Sequence, residues 1–462
     1  MFDKNIYQKR REELVQKVGN GLILLLGNDD VAYNYKGNTY AHFRQDSSFL
    51  YYFGLQQAGL AGLIDAESGD VTLFGNDLTL EDVVWMGPHP TLAERAAGVG
   101  VTKTAPFAQL APQLAKAKSA SRSIHFLPPY RYRNMLLLHQ WLGIPVEELG
   151  KKASVALIKA VVSQRSHKGP EEVAEMEKAL AVTAEMHLAV MKGAKAGRVE
   201  AELAGIAEGI AASHGGYLSY PIILSINGHI LHNHDHSNVL KNGDLLLGDF
   251  GAETERCYAG DITRTFPVGG KFSQKQKEIY EIVLHAEMLA IKSCGPGIRY
   301  RDIHLQAARN MSEGLKQLGL MKGDLDEAVA QGAHALFFPH GLGHMIGLDV
   351  HDMEDLGEQY VGYSDSVHRS DQFGTAYLRL ARELEPGFVF TVEPGIYFIP
   401  ELIDQWRAEK KFEAFINYDA VEAYRHFGGV RVEDNVLITK DGHRVLGPPI
   451  PKLVQDLESL IS

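Results

Sequence analysis

The chain has few cysteines, no long apolar run and no concentration of basic residues. Only Cys257 and Cys294 are present among its 462 residues, and neither belongs to a CxxC pair. This composition excludes a disulfide framework and indicates a reducing compartment. No apolar stretch approaches a membrane span, and the charged N-terminal segment is typical of an amphipathic helix rather than a secretory signal. We expect a cytoplasmic protein that does not enter membranes.

The formal net charge of −12 argues against a nucleic-acid partner. Phosphate binding needs clustered lysines and arginines, and the sequence has no such stripe. With 45% hydrophobic and 23% charged residues, the composition is that of an ordinary globular protein. Small molecules and peptides are the expected partners.

The length exceeds that of one compact core, so two domains are expected. In the first part, the segments GLILLL, AGLIDA and DVTLFG predict strands that alternate with helices, which indicates an α/β domain. An apolar, helix-like stretch then leads to Pro170, a favoured first residue of a helix. We place the domain boundary near residue 153, giving domains 1–153 and 154–462.

The second part predicts an α+β domain built from two similar halves. Apolar periodicity indicates four helices, over Glu171 to Lys195, Val199 to His214, Ser273 to Ser293 and Tyr300 to Leu318. In each half a pair of helices precedes strand-like segments. The polar stretch from Glu354 to Thr375 predicts a long loop, which in compact domains is often functional.

Four short segments in this part carry acidic or imidazole side chains beside apolar residues or glycines. They are GDFGAETERCYAGDITRTFP, PHGLGHMIGLDVHD, TVEPGIYF and FGGVRVEDN. Their candidate ligands are Asp249, Asp261, His344, Glu393 and Glu433. An unpaired charge in such surroundings is costly, and a cation removes that cost. Four oxygen donors and one nitrogen suit divalent manganese, cobalt or zinc.

Together these segments resemble the pita-bread-fold metallopeptidases, in the branch of aminopeptidase P and prolidase that acts on Xaa-Pro bonds. The segments FRQDSSFLYYFGL and GDITRTFPVGGKFSQKQKEIYEIVL extend the resemblance over almost the whole chain. It implies a non-catalytic α/β domain, a catalytic pita-bread domain with pseudo-twofold halves, and two divalent metal ions, manganese before cobalt or zinc. It also implies a homodimer or homotetramer.

The resemblance assigns a role to each candidate ligand. Asp261 and Glu433 bridge two ions, Asp249 and His344 each bind one ion, and Glu393 binds metal and transfers protons. Asp249 and Asp261 are expected opposite each other across a hairpin. One residue more than usual separates them, and we expect the turn within Glu253 to Cys257 to absorb it.

Other residues follow from the same resemblance. His232 and His351 are expected near the substrate, and His340 at the oxyanion or just behind the ligands. Arg431, two residues before Glu433, is expected to orient carboxylates. For the proline ring we expect an aromatic pocket, with Phe337, Phe338 and Tyr397 as the candidates.

The length of the substrate is open between two patterns. The segment from Asp261 to His344 favours aminopeptidase P, which removes the first residue from longer peptides with proline second. The later segment YLRLARELEPGFVFTVEPGIYFIPELID resembles prolidase, where Arg379 matches an arginine that holds the dipeptide carboxylate. We favour the aminopeptidase and keep the dipeptidase as the alternative.

Simpler interpretations accompany each assignment. A single acidic residue is more often a surface charge or a cap than a ligand, and Arg379 in a helix-like segment equally suits a solvated or ion-paired face. His229, His234 and His236 suit a polar loop, and Tyr258 and Phe266 suit the core. The segment FRQDSSFLYYFG suits packing between domains or subunits, or else the edge of an active site across a dimer.

A different class of function is a metal-free peptide-binding or chaperone-like module. Among enzyme activities, hydrolysis of organophosphate-like esters would be a side activity.

Overall fold

The computed structural model describes residues 1–40 and 42–461 and divides into two compact units. The first comprises Met1–Arg165 with Glu354–Tyr360, and the second comprises Ser166–Met353 with Val361–Ser462. The first unit extends beyond the expected boundary at residue 153 because the helix Val155–Arg165 belongs to it. Gln164 on that helix donates a hydrogen bond of 3.0 Å to the carbonyl of Arg10.

The first unit is an α/β domain, as the sequence predicts. Its helices are Lys4–Val18, Ser47–Phe53, Leu80–Met86, Leu92–Gly98, Leu110–Ser119, Tyr132–Leu142, Leu149–Lys152 and Val155–Arg165, and its strands are Leu22–Leu26, Ala32–Tyr35, Asn38–Thr39, Ala61–Asp65, Val71–Phe74, Lys103–Ala105 and Ile124–His125. Five of these strands form one mixed sheet, with Leu22–Leu26 antiparallel to Ala61–Asp65 and parallel to Ile124–His125.

The FRQDSSFLYYFG segment forms the buried helix Ser47–Phe53. Asp46 caps this helix by accepting a hydrogen bond from the amide of Phe49 at 2.8 Å. Arg10 and Arg11 donate to backbone carbonyls of the same helix at 3.0 and 2.7 Å. These contacts give the segment a packing role inside the first unit.

The second unit contains the predicted helix pairs, which the structure confirms to within two residues at each end. Its helices are Pro170–Gly193, Glu200–Ser213, Gln274–Ser293, Tyr300–Gln317, Leu325–Gln331, Pro400–Ala408, Tyr418–Glu422 and Val454–Ile461, and Glu358–Val361 crosses the boundary between the units. Its strands are Tyr217–Leu218, Ile223–Ser225, Leu245–Phe250, Ala252–Glu253, Ile262–Pro267, Val389–Val392, Gly395–Tyr397, Gly429–Arg431, Asp434–Ile438 and His443–Val445.

The two halves of the second unit repeat one arrangement. Each has a pair of packed helices followed by a three-stranded sheet. Local sequence explains where these helices begin: Pro170 occupies the first turn of one, and Ser273 caps another through the amide of Gln276. The halves meet where Thr265 donates a hydrogen bond of 2.9 Å to the carbonyl of Arg431.

The polar stretch after Met353 is mostly irregular, as predicted. It contains a 3-10 turn at Glu354–Leu356 and the short helix Glu358–Val361, and a further 3-10 turn follows at Thr375–Tyr377. Within residues 1–40 and 42–461, no helix combines the length and apolar character needed to cross a membrane.

Candidate metal centre

Two paired strands present the first two acidic residues to one cavity. Asp249 lies on Leu245–Phe250, and its partner across the hairpin is Thr263. The expectation that Asp261 stands directly opposite is therefore wrong. Asp261 lies two residues before Thr263, on the same face by the alternation of a strand. The Tyr220 hydroxyl contacts both carboxylates, at 2.6 Å from Asp249 and closer still to Asp261.

His344 reaches the cluster from a glycine-containing loop. A Cβ atom at Gly343 would lie 2.0 Å from the carbonyl of Thr391, so only glycine lets this loop approach the strand so closely. The His344 Nδ1 lies 3.1 Å from the carbonyl of Met345, which fixes the proton on that nitrogen. Nε2 is then a lone-pair donor, and it lies 3.4 Å from Asp261 and 3.5 Å from Glu393.

Glu433 enters from the junction of the two halves. Its amide donates to the carbonyl of Thr263 at 3.1 Å, and its Oε2 accepts from the Thr263 hydroxyl at 2.7 Å. Its Oε1 is buried and has no hydrogen-bond partner among the described residues. Ligand atoms of Asp261, His344 and Glu433 all lie within 4.8 Å of one another.

The electrostatics of the cluster call for a cation. Burial, together with the charges of Asp261 and Asp249, raises the pKa of Glu393 to about 8. Burial and the neighbouring carboxylates also raise the pKa of Glu433, and burial raises that of Asp261. Acids crowded in a low-dielectric site resist ionisation unless positive charge enters. The buried oxygen of Glu433 and the lone pair of His344 fit a divalent ion at this position.

Arg431 joins the cluster to a tyrosine and a histidine behind it. It donates to Asp249, to the Tyr397 hydroxyl at 2.7 Å and to the Thr263 hydroxyl at 3.2 Å. The Tyr397 hydroxyl lies 2.9 Å from Nε2 of His340, whose Nδ1 lies 2.8 Å from the carbonyl of Gly341. Burial and the charge of Arg431 lower the pKa of His340 to about 3, so the ring is neutral.

A cavity of about 810 Å³ opens onto these side chains. His232, His351 and Arg379 line it with the candidate ligands, and the His351 ring lies 4.3 Å from that of His344. Its apolar wall includes Pro221, Ile223, Leu231, Pro339, Val350, Phe373, Tyr377, Ile399 and Leu402. His234 also reaches the cavity, and both it and His236 contact the carbonyl of Ile222.

Two expectations about this cavity are wrong. Phe337, Phe338 and Tyr397 do not line it; they are at most 1% exposed and belong to the core. Arg379 is not on a helix, because the helical turn ends at Tyr377 and irregular chain follows. It faces the cavity, where its charge helps to lower the pKa of His232, together with the larger effect of burial. Tyr258 and Phe266 are buried, as expected.

Sequence reasoning missed Tyr220, Thr263 and Thr391. Thr391 accepts from the amide of His344 at 3.1 Å and lies 3.3 Å from Glu393. The period of a strand was an available signal for two of them, since Thr263 and Thr391 lie two residues from Asp261 and Glu393. Tyr220 precedes its strand by a few residues, and no pattern distinguished its side chain.

Comparison with known families and proteins agrees with this geometry. Residues 174–440 match metallopeptidase family M24, and residues 7–125 match the aminopeptidase P N-terminal domain. The chain is 33% identical to the Xaa-Pro dipeptidase of Rattus norvegicus over 99% of this chain and 92% of the relative. It is 32% identical to the Xaa-Pro aminopeptidase of Escherichia coli (strain K12) over 98% and 97% of the respective chains.

Solved structures give the same result. Zinc-substituted E. coli aminopeptidase P in complex with product aligns with a TM-score of 0.81 at 29% identity, covering 100% of this chain and 98% of that chain. Pseudomonas aeruginosa aminopeptidase PepP aligns with a TM-score of 0.80, at the same identity and coverage. The chain therefore belongs to metallopeptidase family M24, with an aminopeptidase P N-terminal domain followed by a pita-bread domain that carries the acidic cluster.

Proposed function

We propose that the chain is a metal-dependent exopeptidase that hydrolyses Xaa-Pro peptide bonds. The observation that carries this proposal is the convergence of four carboxylates and one imidazole lone pair on a cavity large enough for a peptide end; three of the carboxylates are buried and that of Glu393 is partly buried. The similarity to an Xaa-Pro dipeptidase and to an Xaa-Pro aminopeptidase over nearly the whole chain supports the bond type.

Two divalent ions would be held by this set of residues, with manganese as the first candidate and cobalt or zinc as alternatives. Asp261 and Glu433 would bridge, while Asp249 and His344 would each serve one ion. Hard carboxylate oxygens with one imidazole suit these metals. Such ions supply Lewis acidity at a carbonyl and lower the pKa of water.

The chain's own residues provide the proton chemistry. Glu393 lies beside His344, and bound metal ions would keep its carboxylate ionised and able to accept a proton. It would accept a proton from the attacking water and deliver it to the leaving proline nitrogen. His232 and His351, on the cavity wall, would hold the substrate.

His340 would act behind the ligands rather than on the oxyanion. Both of its ring nitrogens have protein partners, the Tyr397 hydroxyl and the carbonyl of Gly341. Through Tyr397 it supports Arg431, which in turn orients Asp249. This chain of hydrogen bonds would fix the carboxylate during turnover.

We propose release of the N-terminal residue from peptides with proline second, as in an aminopeptidase. A dipeptidase is the second candidate, because Arg379 faces the cavity. A guanidinium there suits the free carboxylate of a dipeptide through a bidentate contact. The apolar wall formed by side chains such as Phe373 and Leu402 would receive the proline ring.

Metal analysis followed by peptide assays tests these proposals. The purified protein, loaded in turn with manganese, cobalt or zinc, is assayed on Gly-Pro, Gly-Pro-Pro and a peptide with a bradykinin-like N-terminus. Turnover of the longer peptides with manganese is expected. Turnover of Gly-Pro alone would favour the dipeptidase, and neither metal nor turnover would favour a metal-free peptide-binding module.

The oligomeric state and the cellular location are two further expectations for this protein. We propose a homodimer or homotetramer in the cytoplasm, without membrane or nucleic-acid partners. Light scattering coupled to gel filtration measures the assembly directly. A monomer at micromolar concentration would contradict it.

A further inference from the structure

Lys168 and Asp352 form a buried ion pair that has no part in the proposed metal binding or proton transfer. Lys168 Nζ donates to Asp352 Oδ2 at 2.9 Å, and each side chain is 1% exposed. Both residues belong to the second unit, although 184 positions separate them in the chain.

Burial makes this pair a poor source of stability. Removing two charges from water costs several kcal/mol per ion, and the attraction within the pair only roughly offsets that cost. A well-packed apolar pair would stabilise the fold equally well. We therefore expect the ion pair to fix the conformation of the segments around it, and its contacts show which segments these are.

Asp352 forms hydrogen bonds within the loop 345–352, which connects His344 to His351. It directly follows His351, its amide donates to the carbonyl of Met345 at 2.9 Å, and its Oδ1 accepts from the amide of Asp349 at 3.3 Å. The loop wraps closely around the pair. A Cβ atom at Gly347 would lie 2.6 Å from Asp352 Oδ2 and 2.9 Å from Lys168 Cε. The ends of this loop, at His344 and His351, are thereby held together.

Lys168 connects the same loop to the strand before Glu393. Its amide donates to the carbonyl of Gly387 at 2.8 Å, immediately ahead of the strand Val389–Val392. The amide of Ile346 in the loop donates to the carbonyl of Val389 at 3.1 Å. The ion pair thus lies where the loop and the strand are joined.

The loop also reaches the hairpin that carries Asp261. The amide of Ala259 donates to the carbonyl of Gly347 at 2.8 Å, two residues before Asp261. The three segments that deliver His344, Glu393 and Asp261 therefore meet at the loop that the buried ion pair holds.

We propose that Lys168 and Asp352 are positioning residues, whose ion pair holds the loop 345–352 in the conformation that aligns His344, His351 and Asp261. The inference rests on the proposed metallopeptidase function, because it concerns the alignment of that site. Neither Lys168 nor Asp352 lines the cavity, so both act through the backbone of the loop.

The test compares single and double replacements. Lys168→Met leaves a buried carboxylate and is expected to lower the thermal midpoint, whereas K168M/D352N removes both charges and is expected to unfold close to the wild type. Both variants should bind Mn²⁺ at least about tenfold more weakly by calorimetry, and lose at least about tenfold in kcat/KM, the size typical of residues that orient ligands.

Amide exchange gives a readout that needs no metal. In chelator-treated protein, residues 345–352 and 257–261 of K168M/D352N should exchange faster than in the wild type, while helix Tyr300–Gln317 should not change. Lys168→Arg keeps the charge and should recover part of the Mn²⁺ affinity. Arg309→Met, which breaks exposed ion pairs to Glu313 and Asp326, is the control and should leave affinity and activity unchanged.

Wild-type Mn²⁺ affinity and wild-type exchange in a folded K168M/D352N would overturn the inference. So would a folded K168R as defective as K168M. If the unmodified protein failed to cleave any Xaa-Pro peptide, the proposed function would fall, while affinity and exchange would still decide whether the ion pair aligns the loop.

Discussion

Two charged clusters flank the strand Ile262–Pro267, and they differ in how their charges are compensated. The carboxylate cluster, on the cavity side, consists of Asp249, Asp261, Glu393 and Glu433. The balanced cluster lies on the opposite face of the strand, to which Arg264 points. It consists of Arg264, Glu287, Asp434 and Lys452. Glu393 and Lys452 are partly buried and the other members of both clusters are buried, so composition rather than exposure distinguishes the clusters.

The balanced cluster contains its own cations. Arg264 donates to Asp434 at 2.7 Å, and Lys452 donates to Glu287 at 2.7 Å and to Asp434 at 2.5 Å. Although burial opposes it, the charges of Arg264 and Lys452 lower the pKa of Asp434. Two basic groups therefore face two acidic groups in this cluster, although burial and the charge of Asp434 still raise the pKa of Glu287 to about 8. The contacts of the cluster join the strands.

The carboxylate cluster has an excess of acid. Arg431 pairs with Asp249, yet the pKa values of Asp261, Glu393 and Glu433 remain raised. The protein places cations beside acids where the purpose is structural. It leaves buried acids in excess where a metal is to be bound.

The largest expected effect comes from removing one of the two acids of the carboxylate cluster that are proposed to bridge the ions. Asp261→Ala or Glu433→Ala should lower kcat/KM by at least about 10³-fold, since a loss of several kcal/mol of transition-state stabilisation has that size. The protein should still fold, because either change relieves repulsion. Steady-state assays with circular dichroism test this, and near-normal turnover would mean that the acids are not ligands.

Removing a cation from the balanced cluster should lower the stability of the fold rather than the activity. Arg264→Met leaves Asp434 and Glu287 short of a cation and should cost about 3–5 kcal/mol in the free energy of unfolding. Urea unfolding measures it. Arg309→Met, which breaks exposed pairs, is the matched control and should cost at most about 1 kcal/mol. Equal effects of the two changes would erase the distinction between buried and exposed pairs.

A smaller effect is expected behind the carboxylate cluster. Tyr397→Phe removes the hydroxyl between Arg431 and His340 and should lower kcat by about 10- to 100-fold with the metal still bound. Tyr418→Phe, whose hydroxyl contacts the carbonyl of Lys411 outside the cavity, is the control. Unchanged kcat in Y397F would show that the hydroxyl does not orient Arg431 for the reaction.

A last effect is one of pH, and it distinguishes the two clusters. Burial and neighbouring acids raise the pKa of Glu393 and of Glu287 from 4.5 to about 8. Between these values the folded chain keeps protons that the unfolded chain has released, so stability falls as pH rises. Each carboxyl contributes up to about 1.4 kcal/mol per pH unit.

The contributions of Glu393 and Glu287 to the pH dependence of stability can be separated with glutamine variants, measured with and without metal. In chelator-treated protein, Glu393→Gln and Glu287→Gln should each flatten the fall of unfolding free energy between pH 5 and 8. With saturating Mn²⁺, the contribution of Glu393 should vanish because the ion holds it ionised, whereas that of Glu287 should persist. A manganese effect on the Glu287 contribution would contradict the separation of the clusters.

The sequence predicted the helices and the candidate ligands because their signals are local. Apolar periodicity defines Tyr300–Gln317, and Glu393 stands at the end of an apolar strand beside a proline and a glycine. Strand alternation also relates Arg431 to Glu433, and the structure brings both to the cavity.

What the sequence could not predict depends on distant contacts. The burial of Phe337 and Phe338, and the orientation of Arg379 into the cavity, follow from packing around an irregular segment. Tyr220 meets Asp261 across 41 positions, and Lys168 meets Asp352 across 184. No local pattern carries these pairings, because loop conformation decides them.

The central claim is that the excess of buried acid exists to hold two divalent ions. Elemental analysis of protein equilibrated with Mn²⁺ and freed of unbound metal measures it directly, in the wild type and in D261A and E433A. We predict two ions per wild-type chain and the loss of metal in both variants. No ion in the wild type, or two ions retained in either variant, would contradict the claim.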